Sequence, residues 1–469
     1  MRLIAVVAAL CFGLIPVYGD EPPLTLANLL ASVDARYPSV VAALEKKSAA
    51  EGKALSARGA FDLKLKFKSR NDPLGFYETR VMEVLLEQPT PYRGARFFGG
   101  WRRGDGLFPL QEEKLETHSG GEVLIGVSTP LLRDGAIDEA RADIQRADLG
   151  VEAERSRVAR VRLLVQQSAV AQLLKWRATA RKRAVRQDLL DLALVRDQAI
   201  RDQADLGDKA QIDVIDNQRL IAMRRESLIA ARQMEAEEAV NLSLYWRDEE
   251  GNPRVPETTT NILTATLLGK RPPMGEALAK HPEVVIVNRA LEAERVTWRL
   301  SKNQLLPQLD LALSVSKDLG IGSKTKDETE FRIGALFEYP FQNRKARGKI
   351  ETARATIAAM EEGLRLLTDQ LRASALVADN NIRRIDERLD QLRERLNLAS
   401  QMRKAEADRV ELQLSDLLRL NLREQDLAAA ETDLIDAQLE LRLAELDWIN
   451  ALAVDLALDT GRPSVLIIR

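Results

Sequence analysis

Two kinds of apolar periodicity run along this chain, and each kind occurs twice. Phe61, Leu63, Leu65 and Phe67 share one side of a segment whose other side carries Asp62, Lys64, Lys66 and Lys68. Leu309, Leu311, Leu313 and Val315 likewise oppose Asp310, Ala312, Ser314 and Ser316. A period of two with one apolar and one wet side predicts β-strands. A further strand follows each of these: Val123, Ile125 and Val127 alternate before Pro130, and Ile333, Ala335 and Phe337 alternate before Pro340. Four strands are therefore expected, near 61–70, 121–129, 309–317 and 330–338.

After each proline the period changes. Residues 136–246 and 346–451 contain no proline, and Ile382, Ile385, Leu389, Leu392 and Leu396 mark a heptad seam in the second stretch. At 1.5 Å per residue each stretch predicts roughly 160 Å of helix, or two antiparallel helices of about 80–100 Å. A break is available midway in both. ADLGDKAQIDVIDNQ (204–218) has Gly207 where a turn is needed, and EADRVELQLSDLLRL (406–420) aligns with it by matching Asp213 to Asp416.

The chain thus reads as a duplication. LLASVDARYPSVVAALEKKSAAEGKALS (29–56) matches EALAKHPEVVIVNRALEAERVTWRLS (276–301), with Tyr37-Pro38 on His281-Pro282. The expected organisation is a first repeat over 20–246, a linker over 247–275, a second repeat over 276–455 and a tail over 456–469. Pro130 and Pro340 lie 210 apart and Asp213 and Asp416 lie 203 apart. The difference of seven predicts one extra heptad in one half, an insertion that preserves a coiled-coil seam. The halves differ more between their strands. The second has a short polar loop near 318–330, whereas the first has an aromatic insert over 71–120. That insert reads either as a long surface loop or as an extra hairpin, with strands over Thr79 to Glu87 and Ala95 to Arg102.

Composition adds a destination. Residues 1–19 have the charged start, short apolar run and small residues of a secretory signal peptide, and the only cysteine, Cys11, lies within it. Charged residues make up 30% of the chain with a net charge of -2, so both signs are interspersed and no basic patch points to nucleic acid. No aromatic residue occurs between Gln342 and Asp447, which suits thin helical packing better than a compact core. The two histidines, His118 and His281, have no partners at metal-ligand spacing, and no phosphate loop or nucleophile elbow appears. No catalytic, cofactor or metal site is expected.

One-faced strands in an exported protein fit a membrane barrel, because in hydrocarbon β-structure must close on itself to pair its backbone. Four strands are too few to close, so several chains would have to share one barrel. The order helix, strand, loop, strand, proline and long helical hairpin, present twice, resembles the TolC-like outer-membrane factor family over essentially the whole mature chain, and PLLRDG resembles that family's passage from barrel to helix. The resemblance implies a mainly α fold with a β membrane part. It implies a homotrimer with a twelve-stranded barrel in outer-membrane lipid and a helical tunnel across the periplasm, docked to a periplasmic adaptor and an inner-membrane pump for efflux or type I secretion. Phe61, Phe67, Phe331 and Phe337 would face lipid, with Tyr339 at the periplasmic interface.

The same resemblance places a gate of lumen-facing aspartates at the hairpin tips, where Asp213, Asp216 and Asp416 are the candidates. This chain departs from the family pattern, which carries its aspartate pair in the second repeat: here the pair is in the first, and Arg419 takes the second place of the other. Solvated or capping aspartates beside a turn are the other reading. A periplasmic adaptor or coiled-coil scaffold without a pore is the alternative function; an adaptor would interrupt one hairpin with a glycine-rich β domain, and none is found.

Overall fold

The computed structural model describes residues 24–208, 210–257, 267–269, 272–323 and 326–454. The expected leader at 1–19, the tail at 456–469 and part of the 247–275 linker lie outside them. The first half runs α1 (Leu26–Arg36), α2 (Pro38–Arg58), β1 (Lys64–Asp72), β2 (Thr79–Pro89), β3 (Arg96–Gly106), β4 (Glu122–Pro130), α3 (Glu139–Asp205) and α4 (Gln211–Ser243). The second runs α5 (Met274–Lys280), α6 (Pro282–Asn303), β5 (Gln308–Asp318), β6 (Glu330–Glu338), α7 (Arg344–Glu411) and α8 (Leu417–Leu452). Short 3₁₀ turns occupy Gly59–Phe61 and Leu110–Leu115.

The strands form one sheet in sequence order, β1-β2-β3-β4-β5-β6, with every neighbouring pair antiparallel. The chain therefore contributes six strands rather than four, because the insert over 71–120 folds as a hairpin inside the sheet and not as a surface loop. Its alternation is imperfect for a physical reason. Gly99 and Gly100 supply no side chain to either face, and Val81 and Leu85 place apolar groups on the face that elsewhere carries charge.

The long helices are continuous but their partners are not. α3 has 67 residues and α7 has 68, about 100 Å each. α4 has only 33 and α8 only 36, about 50 Å. Two equal antiparallel helices of 80–100 Å do not form. A long helix must cover its apolar stripe along its whole length, and here two shorter helices do so end to end: α4 and α2 along α3, and α8 and α6 along α7. Ion pairs fix both columns, Arg58 with Asp148 at 2.6 Å and Arg295 with Glu361 at 2.9 Å beyond the stacked ends. Arg388 with Glu440 at 2.7 Å and Arg395 with Asp433 at 2.6 Å join α7 to α8.

Near-equal lengths of α3 and α7 also overturn the extra heptad. The difference between the halves lies at the strand-to-helix connection, where nine positions separate Pro130 from Glu139 but four separate Pro340 from Arg344. The longer connection is held by named bonds. Leu131 N–H donates to the Leu309 carbonyl at 2.7 Å, Asp134 N–H to Asn303 Oδ1 at 2.6 Å, and the Arg141 guanidinium donates to the carbonyls of Asp134, Gly135 and Ala136. Asp138 then caps α3, accepting from Arg141 N–H at 2.8 Å.

The main core lies midway along the columns, where Leu163, Val170 and Leu174 of α3 meet Leu371, Ala375 and Ile382 of α7 and Leu441, Trp448 and Ile449 of α8. A second core gathers Leu29, Val33, Val40, Leu173, Leu242 and the nearly inaccessible Trp176. One buried cluster is charged. Glu424 of α8, 2% exposed, accepts from Arg224 of α4 at 2.7 Å and pairs with Arg196 of α3, so the two halves are joined through one carboxylate. Arg196 also reaches Asn421, at 2.5 Å, and Arg224 reaches the Leu189 carbonyl.

Tyr37 and His281 occupy equivalent places, each an extended residue before a proline that begins α2 or α6. Tyr37 stacks on Tyr245 at 5.3 Å between ring centres. His281 is fully buried, its Nδ1 accepting from Glu283 N–H at 3.2 Å while Nε2 faces the Asn450 carbonyl at 3.4 Å. Burial holds the His281 imidazole below its ordinary pKa, and nearby Arg160 acts in the same direction, against the Asn450 carbonyl and Glu283. Because the folded state disfavours the proton, His281 contributes stability above its unfolded pKa of about 6.5 and loses it as pH falls from there towards its depressed folded value. The melting temperature is expected to fall on acidification below about pH 6.5 more steeply in the wild type than in His281→Asn, which keeps an acceptor but does not titrate; parallel pH profiles would refute this.

Candidate functional site: a two-faced sheet and two hairpin tips

Register assigns every strand residue to a side. Leu65 and Phe67 of β1 stand opposite Leu86 and Val84 of β2, which stand opposite Gly99 and Trp101 of β3. The row continues through Ile125 of β4, Val315 of β5 and Phe331 of β6. One largely apolar face thus crosses all six strands, with Gly99 adding no side chain to it and Lys317 of β5 ending the row of Trp101 and Val123. Phe67, Phe331 and Phe337 are 64%, 62% and 66% exposed, far more than isolated surface residues of this size require. Phe61 does not join them: it lies in the 3₁₀ turn Gly59–Phe61, before β1 begins at Lys64, because the helix α2 runs further than the alternation implied. Tyr339 and Phe341 follow β6 and meet edge-on at 6.0 Å, at the helix end of the sheet.

The opposite face is charged and paired. Lys66 pairs with Glu87, Arg102 with Glu122 and Arg332 with Glu330, while Arg332 also reaches Glu122 at 3.4 Å. Glu122 is 2% exposed. Phe98 is an exception on this side; its ring lies over Gly126, where a Cβ would approach it to 2.4 Å.

At the far ends of the helices are two tips. α3 turns into α4 through Gly207 with φ +83°, a left-handed conformation that costs glycine little. The second tip places Gln413 there instead, with φ +61°. Asp213 is half-buried in the first turn of α4, and Asp216 is exposed and 3.5 Å from Arg219. Asp416 caps α8, accepting from Arg419 N–H at 2.8 Å. Its positional equivalent is therefore Ala210, which precedes α4, and Asp213 corresponds to Arg419. The alignment of Asp213 with Asp416 does not hold in three dimensions, and the heptad insertion that its offset implied falls with it.

Both prolines sit where ladder gives way to turn. Pro130 is the last residue of β4, opposite Asp310, and a Cβ on Gly94 would lie 2.9 Å from its ring. Pro340 follows β6 and accepts from Asn343 N–H at 3.2 Å, with Asn343 at φ +48° preceding α7. Neither proline is the first residue of a helix.

No protein-family model and no curated protein matches the chain. Solved structures do. The outer-membrane channel MtrE of Neisseria gonorrhoeae, in its open state, superposes with a TM-score of 0.66 at 14% identity, covering 92% of this chain and 89% of that one. CusC gives a TM-score of 0.66 at 11% identity over 93% and 95% of the two chains. The outer membrane protein VceC of Vibrio cholerae gives 0.63 at 13% identity over 92% and 96%. The fold is that of these outer-membrane channels. Within this channel fold the parts missed by sequence reading are the Arg196–Glu424–Arg224 cluster and the path of the β3–β4 loop. Neither has a sequence signal, since charged residues are frequent on every helix and the loop's anchors come from three different strands. Among the described residues no helix is long and apolar enough to cross a membrane.

Proposed function

We propose that the protein is a passive export duct: a homotrimer whose sheets close into one barrel in the outer membrane and whose helices form a tunnel through the periplasm. The carrying observation is the apolar face that crosses six strands at one end of helices about 100 Å long, in a fold shared with outer-membrane channels. The apolar face turns to lipid, with Phe67, Phe331 and Phe337 on it, and the charged face lines the pore. The hairpin tips at 204–218 and 406–420 would meet a periplasmic adaptor and an inner-membrane pump, in an efflux or type I secretion assembly. His281 serves packing and a helix start, and no residue of the duct is assigned to chemistry.

Three copies of Asp213 and Asp216 at the tips would form a ring of negative charge that favours cations and narrows the periplasmic end. In planar bilayers the protein extracted from outer membranes is expected to conduct as a cation-selective trimer. Asp213→Ala with Asp216→Ala should raise single-channel conductance and weaken the selectivity. Release of the protein by osmotic shock, with no conductance, would instead make it a periplasmic scaffold; conductance unchanged by the double substitution would remove the gate from these residues.

A further inference from the structure

The charged face of the sheet is not open at its outer end, away from the helices. Arg70 of β1, Val81 of β2 and Gly104 of β3 lie side by side on that face. The β3–β4 loop passes directly over this row. Arg70 donates to Glu112 of the 3₁₀ turn at 2.5 Å, and Val81 is only 7% exposed. A Cβ built on Gly104 would lie 1.7 Å from the Leu115 carbonyl oxygen, so the loop backbone rests against the strand where a glycine leaves room. Thr117 N–H donates to the Gly104 carbonyl at 3.0 Å and Thr117 Oγ1 accepts from Gly104 N–H at 3.1 Å, fixing the return of the loop to β4.

A second set of bonds holds the loop from the other side. His118 is buried, its N–H donating to Asp318 Oδ1 at 2.9 Å and its Nε2 lying 2.9 Å from the Ser323 carbonyl. A Cβ on Gly322 would lie 2.1 Å from the His118 ring. Lys326 donates to the Glu116 carbonyl at 2.7 Å. The loop is thus pinned to β1, β3, β5 and the segment after β5, in a fixed place over the pore-lining face.

We propose that the β3–β4 loop, held by the Arg70–Glu112 pair, is the size-limiting constriction at the outer mouth of the duct. This rests on the charged face being the pore lining. The hairpin that carries the loop also adds two strands per chain. Three chains of six strands give eighteen, a barrel about one and a half times as wide as one of twelve and wide enough for an aqueous channel. Three inward loops refill that wider mouth, so the largest solute that the outer mouth passes is set by the loops and not by the strand count.

The test measures conductance in planar bilayers together with exclusion of polyethylene glycols of graded size. Replacing residues 108–116 by a short Gly-Ser turn should raise conductance by about twofold or more and admit larger polymers. Glu112→Gln, which leaves the loop in place but weakens its tie, should shift the exclusion limit in the same direction by less. A shortened-loop channel with wild-type conductance and exclusion limit would overturn the proposal. If the shortened protein does not insert, Glu112→Gln decides alone, and a wild-type exclusion limit there overturns it. A wild-type protein that does not conduct overturns the duct itself, a separate outcome.

Discussion

Glu424→Gln is expected to destabilise the protein by about 3–5 kcal/mol, the cost of leaving buried charge without its counter-charge. The substitution keeps the shape of the side chain and removes only its charge, so Arg224 at 6% exposure remains in the helix interface facing a neutral amide. Arg196 and Arg224 come from α3 and α4, and Glu424 from α8, so the loss falls on the contact between the two halves. Hydrogen exchange should quicken around Leu189, Arg224 and Glu424 while the sheet is unaffected. Removing all three charges together, as Arg196→Met, Arg224→Leu and Glu424→Leu, should recover most of the stability, because a well-packed apolar replacement avoids the desolvation of the ions. A denaturation midpoint for Glu424→Gln equal to that of the wild type would show that the triad is not a structural tie.

A charge on the apolar side of the sheet is expected to be nearly as costly. Ile125, 63% exposed in the single chain, lies in the middle of β4 between Gly99 and Val315. Arginine there would enter the bilayer near its midplane, at about 2–4 kcal/mol per chain. Ser314 of β5, opposite Gly126, is on the charged side, and arginine there would meet water. Ile125→Arg should therefore deplete assembled trimer from outer membranes, whereas Ser314→Arg should assemble normally and shift ion selectivity towards anions. Equal assembly of the two variants would mean that the apolar face is covered by protein and not by lipid.

Much of this architecture was legible in the chain. The two-faced strands, the duplication and the two hairpins follow from periodicities of two and of three to four, which depend only on local geometry. The count of strands did not follow. β2 and β3 break alternation at Val81, Leu85, Gly99 and Gly100, and of these only Val81 lies in the row that the β3–β4 loop covers. The tips were misaligned for a related reason. Sequence matching placed the length difference inside the helices, where a heptad would preserve packing, but the connection after Pro130 absorbed it through bonds to Asn303, Pro307 and Leu309. Side-chain partners from distant segments, such as Arg70 with Glu112 or Arg196 with Glu424, leave no periodic trace at all.

Six strands per chain also bear on how two unlike walls meet. Strands about 4.8 Å apart and tilted by about 40° take up about 38 Å of perimeter for six, and about 25 Å for four. The helices of each chain form four columns, and at roughly 10 Å apiece these take up about 40 Å. In the proposed trimer, with the hairpin present, the upper ring and the lower ring would have matching girth. The chain would then pass from strand to helix at Pro130 and Pro340 without a collar that narrows or flares.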